Sequence, residues 1–294
     1  MGSINLNRLA LGTVQFGLPY GVANKIGKVS LPESKAMLEF AKNNGVDMID
    51  TAISYGDSEQ SLGVLGTDSF RLVTKLPGMP ENQIDIDAWV DLQLRESFLR
   101  LGVDNIYGLL FHGTNQLLSQ NGSKLYEAIL KFKENGMVKK LGVSIYSPKE
   151  LESIIPHYNF DLIQAPFNLI DRRLSSSGWL KRLKDMNVEI HTRSVFLQGL
   201  LLMKQKDIPY KFSAWNEIWL KWHSWLIGQE HSAIEACLAF PLSFPEIDRV
   251  VVGSESLSQL TQIVQALDNL SVQNLPYLKS DDEKLINPVN WEAL

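Results

Sequence analysis

The feature that most constrains this chain is an alternation that does not stop. Short apolar runs recur at 46–49, 71–74, 106–111, 138–143, 160–163, 188–192 and 249–252, with "RLALGTV" (8–14) an earlier candidate. Each is too short for a helix and reads as a buried strand. Amphipathic stretches separate them. "SLPESKAMLEFAKNNG" opens with a capping box, Ser30 to Glu33, and stops at Gly45. "VDLQLRESFLRLG" carries Val90, Leu94, Phe98 and Leu101 on one face and stops at Gly102, and "SKLYEAILKFKENG" repeats the plan with Leu125, Ala128, Ile129 and Phe132 before Gly136. "SPKELESII" begins with a second capping box, Ser147 to Glu150, with Pro148 at the first helical position. "SLSQLTQIVQAL" offers Leu257, Leu260, Ile263, Val264 and Leu267. Eight strand–helix units without a linker predict an α/β fold, a single (β/α)8 TIM barrel occupying all 294 residues. An open doubly wound sheet would require a Gly-x-Gly-x-x-Gly turn after an early strand, and none is present. The units share a plan but not a sequence, so this is no short-period repeat. The stretch 195–248 is long for one unit; its Trp215, Trp219, Trp222 and Trp225 read as helix faces packing on the barrel.

The polar residue that ends each run carries the functional information. In order these are Asp50, Lys75, His112, Ser144, Gln164, Arg193 and the pair Gly253-Ser254. In a barrel all of them converge on the C-terminal mouth, where barrel enzymes keep their sites. Taken singly each has a bland reading: the aspartate as a helix cap, the histidine as a hydrogen-bonded wall. A cation, an anion and an imidazole on adjacent strands, with Tyr55 five residues beyond Asp50, form a set whose chemistry is mutually explanatory. A tyrosine in water has a pKa near ~10. A lysine ammonium beside the phenol stabilises the phenolate and lowers that value by roughly one to three units. An aspartate paired with the lysine keeps it charged in a desolvated pocket, and the histidine can orient a substrate oxygen. The expected product is a proton donor for a carbonyl oxygen that gains charge as hydride arrives.

Composition excludes several other classes. A net charge of −5 and a pI near 5.6 lack the clustered basic face of a nucleic-acid-binding protein. No run approaches a membrane span, and no charged-then-apolar leader opens the chain. The start "MGSINL" has Leu6 where a myristoylation signal wants Ser or Thr. The lone Cys237, in "IEACLAF", reads as a core filler and fits a reducing, cytoplasmic location. His157, His191, His223 and His231 have no ligand-like spacing and read as structural, so no metal is expected.

With these residues in view, the chain resembles the aldo-keto reductase family over most of its length. "LALGTVQFG", "IDTAISYGDSEQSLG", "LVTKL", "IYGLLFHG", "LGVSIY", "DLIQAPFNLID" and "VVVGSESLSQL" resemble successive family segments in order. The resemblance implies a catalytic tetrad of Asp50, Tyr55, Lys75 and His112, with Tyr55 as general acid. It implies an extended nicotinamide dinucleotide, NADP(H), along the mouth. Gly12, Thr13 and Asp50 would lie beside it, Ser144 and Gln164 would hold its carboxamide, Arg193 would lie at the nicotinamide, Ser194, Phe196 and Gln198 would approach its pyrophosphate, and Gly253, Ser254, Glu255, Gln259 and Gln262 its adenosine end. The implied substrate is a small carbonyl compound or sugar.

Three departures from the family pattern stand out. Ile145 follows Ser144 where an asparagine is usual, and Arg193 stands where an aromatic residue commonly stacks on the nicotinamide. Residues 250–272 contain no Lys or Arg, and Glu255 lies there instead, which leaves NAD(H) open beside NADP(H). Arg249 and Lys279 are the nearby cations that could compensate. Arg193 itself could pair with a loop carboxylate such as Asp171, or replace the stacking ring while reaching an anion. Two other functions compete: a cofactor-binding sensor with little turnover, and a barrel aldolase with Lys75 as Schiff-base nucleophile. A lysine paired with Asp50 argues against the latter, because such a lysine must lose its proton.

Overall fold

The computed structural model describes residues 6–229, 231–268, 270, 272 and 274–294; all of the opening "MGSINL" but Leu6 lies outside the described residues. Eight parallel strands close into a barrel in sequence order: β1 Leu9–Gly12, β2 Met48–Asp50, β3 Arg71–Leu76, β4 Ile106–Phe111, β5 Val138–Ser144, β6 Leu162–Pro166, β7 Glu189–Arg193 and β8 Arg249–Gly253. β8 returns to pair with β1, Gly12 against Gly253, so the sheet has no free edge. The (β/α)8 TIM barrel expected from the alternation is the fold observed. No helix among the described residues is long and apolar enough to cross a membrane.

Strand ends differ from the apolar runs in one consistent way. Asp50, Lys75, Ser144, Gln164, Arg193 and Gly253 all belong to their strands, and His112 follows β4 by one residue. An apolar pattern stops where the interior stops being apolar, whereas the backbone ladder continues into the mouth. The interior is correspondingly layered. Ala10, Met48, Val73, Leu110, Leu162 and Val251 fill its middle as a separate apolar cluster. The larger core lies between strands and helices, and there the expected helical faces are buried: Val90, Leu94, Phe98 and Leu101 on one helix, and Leu125, Ala128, Ile129 and Phe132 on the next. Gly45, Gly102 and Gly136 end their helices at positive φ.

Two capping details differ from expectation. Ser30 accepts the Glu33 amide as a cap should, but the Glu33 carboxylate accepts the amide of Leu257 at 2.6 Å, tying two helix starts together instead of closing a box. At the second site Glu150 does reach back to the Ser147 amide at 2.6 Å, yet Ser147 Oγ accepts from Lys149, and the helix spans Lys149–Ile154. The long unit after β7 folds into short 3-10 turns and the helices Asn216–Ile227 and Ala233–Leu242. Trp219 and Trp222 are buried there, donating to Phe212 O and Leu201 O, so the tryptophans pack as expected. Cys237 is buried, and burial pushes its thiol upward.

One close approach sets the position of the loop after β2. A Cβ at Gly17 would come within 1.8 Å of the Tyr55 carbonyl oxygen, and one at Gly56, which has φ +53°, within 2.7 Å of the Gly17 carbonyl. The two backbones touch, which only glycine permits. Gly17→Ala should therefore lower stability by about 1–3 kcal/mol in a denaturant titration. Gly113→Ala, whose Cβ would meet nothing within 4 Å, should change stability by less than about 0.5 kcal/mol. Equal effects of the two would show that the Gly17 contact does not hold the loop.

Candidate active site

The last residue of β2, Asp50, enters the barrel, where both carboxylate oxygens are engaged. Oδ1 accepts from Lys75 Nζ at 2.6 Å and Oδ2 from Gln164 Nε2 at 2.6 Å. Three strands thus meet on one carboxylate. The Lys75 ammonium is 1 % exposed and donates also to the Thr51 carbonyl at 2.8 Å. Burial pulls the lysine pKa down, but the charge of Asp50 and the neighbouring Tyr55 outweigh it, and the net direction is upward. Lys75 is held protonated, which opposes a Schiff-base role.

Tyr55 comes from the loop braced by Gly17, and Lys75 Nζ lies 5.0 Å from its ring centroid. The His112 ring stands edge-on to Tyr55, centroids 5.7 Å apart. His112 Nδ1 is 3.1 Å from Ser54 Oγ, a partner on the same loop as Tyr55. Burial, then the charges of Lys75 and Arg193, lowers the His112 pKa to about 4, so the imidazole is neutral at ordinary pH. Beneath this layer Thr13 donates to the Asp50 carbonyl at 3.1 Å and accepts from Ser58 Oγ at 3.0 Å, which ties β1 to β2 and to the helix after it.

These side chains open onto a cleft of about 1020 Å³ across the C-terminal mouth. Gly12, Thr13, Asp50, Tyr55, His112, Ser144, Gln164, Arg193, Ser194, Phe196, Gln198, Gly253, Ser254, Glu255, Gln259 and Gln262 all line it, and Lys75 lies buried below. Every candidate residue read from the sequence is therefore brought to one place. Ser144 Oγ and Gln164 Oε1 are 3.4 Å apart. On the β7 side the backbone turns left-handed at Ser194, Leu197 and Gln198, all non-glycine. On the β8 side Glu255 packs against the first loop; burial raises its pKa, opposed by the Lys25 amide and by Gln259.

The structure corrects three sequence readings. Arg249 starts β8, at the opposite end of the barrel from the cleft, and pairs with Asp47 at 2.9 Å. Lys279 pairs with Asp281 at 3.0 Å, and neither cation lines the cleft. Asp171 is not a partner of Arg193: Arg173 takes it, with Nε to Oδ1 at 2.9 Å. The sequence reading missed other residues of the mouth, among them Gln15, Tyr20, Ser54 and Tyr146. Gln15 lies in the short helix Val14–Gly17 after β1 and Tyr20 on the loop beyond it, Ser54 on the loop after β2, and Tyr146 on the loop after β5. Their signal was position alone, a few residues past a strand end. Gln15 Oε1 and Ser254 Oγ are buried without a hydrogen-bond partner among the described residues.

Comparison with known proteins agrees with this geometry. A sequence model described as the Aldo/keto reductase family matches residues 8–281. The L-glyceraldehyde 3-phosphate reductase of Escherichia coli (strain K12) is 23% identical over 320 aligned positions, covering 94% of this chain and 91% of that protein. The uncharacterized oxidoreductase YqkF of Bacillus subtilis (strain 168) is 24% identical over 190 residues, 61% of this chain; the match spans only 60% of that relative's length. Among solved structures, the holo form of aldo-keto reductase AKR11C1 from Bacillus halodurans superposes with a TM-score of 0.72 at 18% identity, covering 90% of this chain and 88% of that one. Matched by the family model over nearly its whole length and folded as that family folds, the chain belongs to the aldo/keto reductase family.

Proposed function

We propose that this protein is a nicotinamide-dinucleotide-dependent reductase or dehydrogenase of small carbonyl compounds, with Tyr55 as general acid and base. The observation that carries the reading is the meeting of Tyr55, Lys75, Asp50 and His112 around one cleft. The name of the Escherichia coli relative, a reductase of a triose aldehyde, supports a small carbonyl or sugar substrate.

The cleft residues suit the cofactor. Among the described residues, buried Gln15 Oε1 and Ser254 Oγ lack partners that a ligand's polar groups would supply. Gly12 and Gly253 leave room at the cleft floor, since a Cβ at Gly253 would come within 3.0 Å of the Gln15 amide. Ser144, Gln164 and Arg193 would face the nicotinamide end, Ser194, Phe196 and Gln198 the pyrophosphate, and Ser254, Glu255, Gln259 and Gln262 the adenosine. A bound nicotinamide supplies hydride in reduction and accepts it in oxidation. The protein's own part is the proton. The Tyr55 hydroxyl delivers it to the carbonyl oxygen as negative charge develops there. The Lys75 ammonium beside the ring stabilises the phenolate left behind, and Asp50 with Gln164 keeps that ammonium in place. A Ser54 hydroxyl donating to Nδ1 would leave neutral His112 its proton on Nε2, to be offered to the same oxygen.

Fluorescence titration with NADPH and NADH, followed by turnover of a carbonyl panel, tests this directly. Binding without turnover of any carbonyl would favour the sensor reading instead. Tyr55→Phe should reduce kcat/KM by ~10²–10⁴ while cofactor affinity changes by no more than a few-fold. Retention of more than about a tenth of wild-type kcat/KM would mean that another group donates the proton.

The lowered His112 pKa carries a stability signature. Unfolded histidine binds its proton near pH 6.5 and the folded one only near pH 4, so between these values the unfolded state holds more protons. Its contribution is intact above pH 6.5 and is lost as pH falls toward 4. His112→Gln should flatten the fall of Tm across that window relative to wild type. An unchanged slope would place the titration elsewhere.

With Arg249 and Lys279 both turned away, the cofactor preference should be modest. We expect NADPH to be favoured over NADH by less than about a hundredfold, or ~2.7 kcal/mol, and Glu255→Gln to move the ratio toward NADPH by about tenfold. A larger wild-type preference, measured by the same titrations, would show that another cation reads the 2′-phosphate.

A further inference from the structure

Most of the buried or half-buried arginines described here have settled partners. Arg100 pairs with Glu59, Arg173 with Asp171 and Arg249 with Asp47. Arg8 donates to three backbone carbonyls, Leu242, Phe244 and Ile247, and Arg172 to Leu169 and Pro276. Arg193 is different. A guanidinium has five N–H donors, and among the described residues this one makes only two bonds, both to neutral oxygens: the Ile145 carbonyl at 3.0 Å and Ser194 Oγ at 3.3 Å. One face rests on the Tyr146 ring at 4.8 Å. Among the described residues no carboxylate stands within ion-pair distance, although Asp207, Glu255 and Glu292 line the same cleft.

The side chain is also fixed and aimed. Stacking on Tyr146 and the bond to Ile145 hold its plane, and the remaining donor edge is left to the cleft shared with His112 and Tyr20. A half-buried cation without a counter-charge is costly unless an anion arrives to complete it. Its planar fork matches carboxylate and phosphate oxygens in a way a lone ammonium does not. Its field reaches the catalytic layer, since it is one of the charges that depress His112. An anion seated on Arg193 is therefore within one small molecule's length of the place where a carbonyl would meet Tyr55 and His112.

We propose that Arg193 recognises an oxyanion on the substrate, so that the preferred substrates are carbonyl compounds bearing a phosphate or carboxylate a few bonds from the reacting carbon. This rests on the carbonyl-reductase reading above and narrows it. It also accounts for the two departures at this corner of the mouth together: with Ile145 offering only its backbone carbonyl, that oxygen becomes the anchor of the arginine.

The test compares matched substrate pairs at saturating reduced cofactor: glyceraldehyde with and without a 3-phosphate, and succinic semialdehyde against butanal. Wild type should favour the anionic member of at least one pair by about ten- to a hundredfold in kcat/KM, as a charge-assisted bond implies, and the pair that responds identifies phosphate or carboxylate as the group. That preference should shrink with added salt. Arg193→Met should collapse the ratio toward one, and Arg193→Lys should keep part of it, showing that charge acts through a folded site. Equal preference for both members in wild type overturns the proposal. So does a loss in Arg193→Met that is equal for both members and matched by weakened NAD(P)H binding, which would assign the arginine to the cofactor. If no carbonyl is turned over, the reductase reading fails, and glycerol 3-phosphate titrated against glycerol on the cofactor-loaded protein decides this one. Saturable binding of the phosphate that Arg193→Met abolishes supports it, and no binding sinks it.

Discussion

The structure turns on a buried ion pair that the fold can tolerate only when closed. Lys75 and Asp50 are almost wholly removed from water, and such a pair repays its desolvation only with near-ideal geometry and every remaining hydrogen-bonding site satisfied. Here Gln164 fills the second carboxylate oxygen and the Thr51 carbonyl takes another ammonium proton. The partners lie on β2, β3 and β6, so no local segment could assemble them. Barrel closure and the buried Lys75 cation are consequently one problem. The charge at the centre of the proposed chemistry exists because the sheet has no open edge.

Around that pair the protein fixes its tyrosine by contact between backbones and by a second buried carboxylate. Glu59, on the helix that follows Tyr55, is 1 % exposed and accepts from Thr74 and Ser97 at 2.7 Å each, with Arg100 completing it. Thr74 precedes Lys75 directly. The loop carrying Tyr55 is thus pinned from one side by Gly17 and from the other by a network that begins one residue from the lysine. Placement of a proton donor to within a fraction of an ångström requires this kind of support.

A comparison within the molecule shows how the two ends of the barrel differ. Toward the N-terminal ends of the strands, Glu189 accepts from Tyr107 at 2.7 Å, from Lys140 and from His191. That set also holds a carboxylate, a lysine, a tyrosine and a histidine. Its Glu189 is held well below the usual carboxylate range by His191, Lys140 and Tyr107 against the opposing effect of burial. Tyr107, Lys140 and His191 Nε2 are all engaged by the one carboxylate, His191 Nδ1 is buried with no partner among the described residues, and none of these residues lines the cleft. The mouth differs by leaving Tyr55 and His112 facing open volume and Arg193 without a counter-charge among the described residues. Residue types alone do not make a candidate site; hydrogen-bonding and charge-pairing capacity left open beside a cavity does.

Much of this was legible from local pattern. The alternation of short apolar runs with amphipathic helices determines eight strands, because each element must bury one face and the two periods are readable one residue at a time. The strand-end residues Asp50, Lys75, His112, Ser144, Gln164 and Arg193 could be assigned to one rim on parity and topology. What tertiary structure decided were relations with no sequence period. It put Arg249 at the far end of the barrel from the cleft, gave Asp171 to Arg173 instead of Arg193, sent the Glu33 carboxylate to Leu257, and brought Gln15, Tyr20, Ser54 and Tyr146 to the mouth. Each joins loops or strand ends separated along the chain, whose meeting depends on register and loop path. A side chain's periodicity reports which face it buries; its partner is chosen by whatever the closed barrel brings within hydrogen-bonding distance.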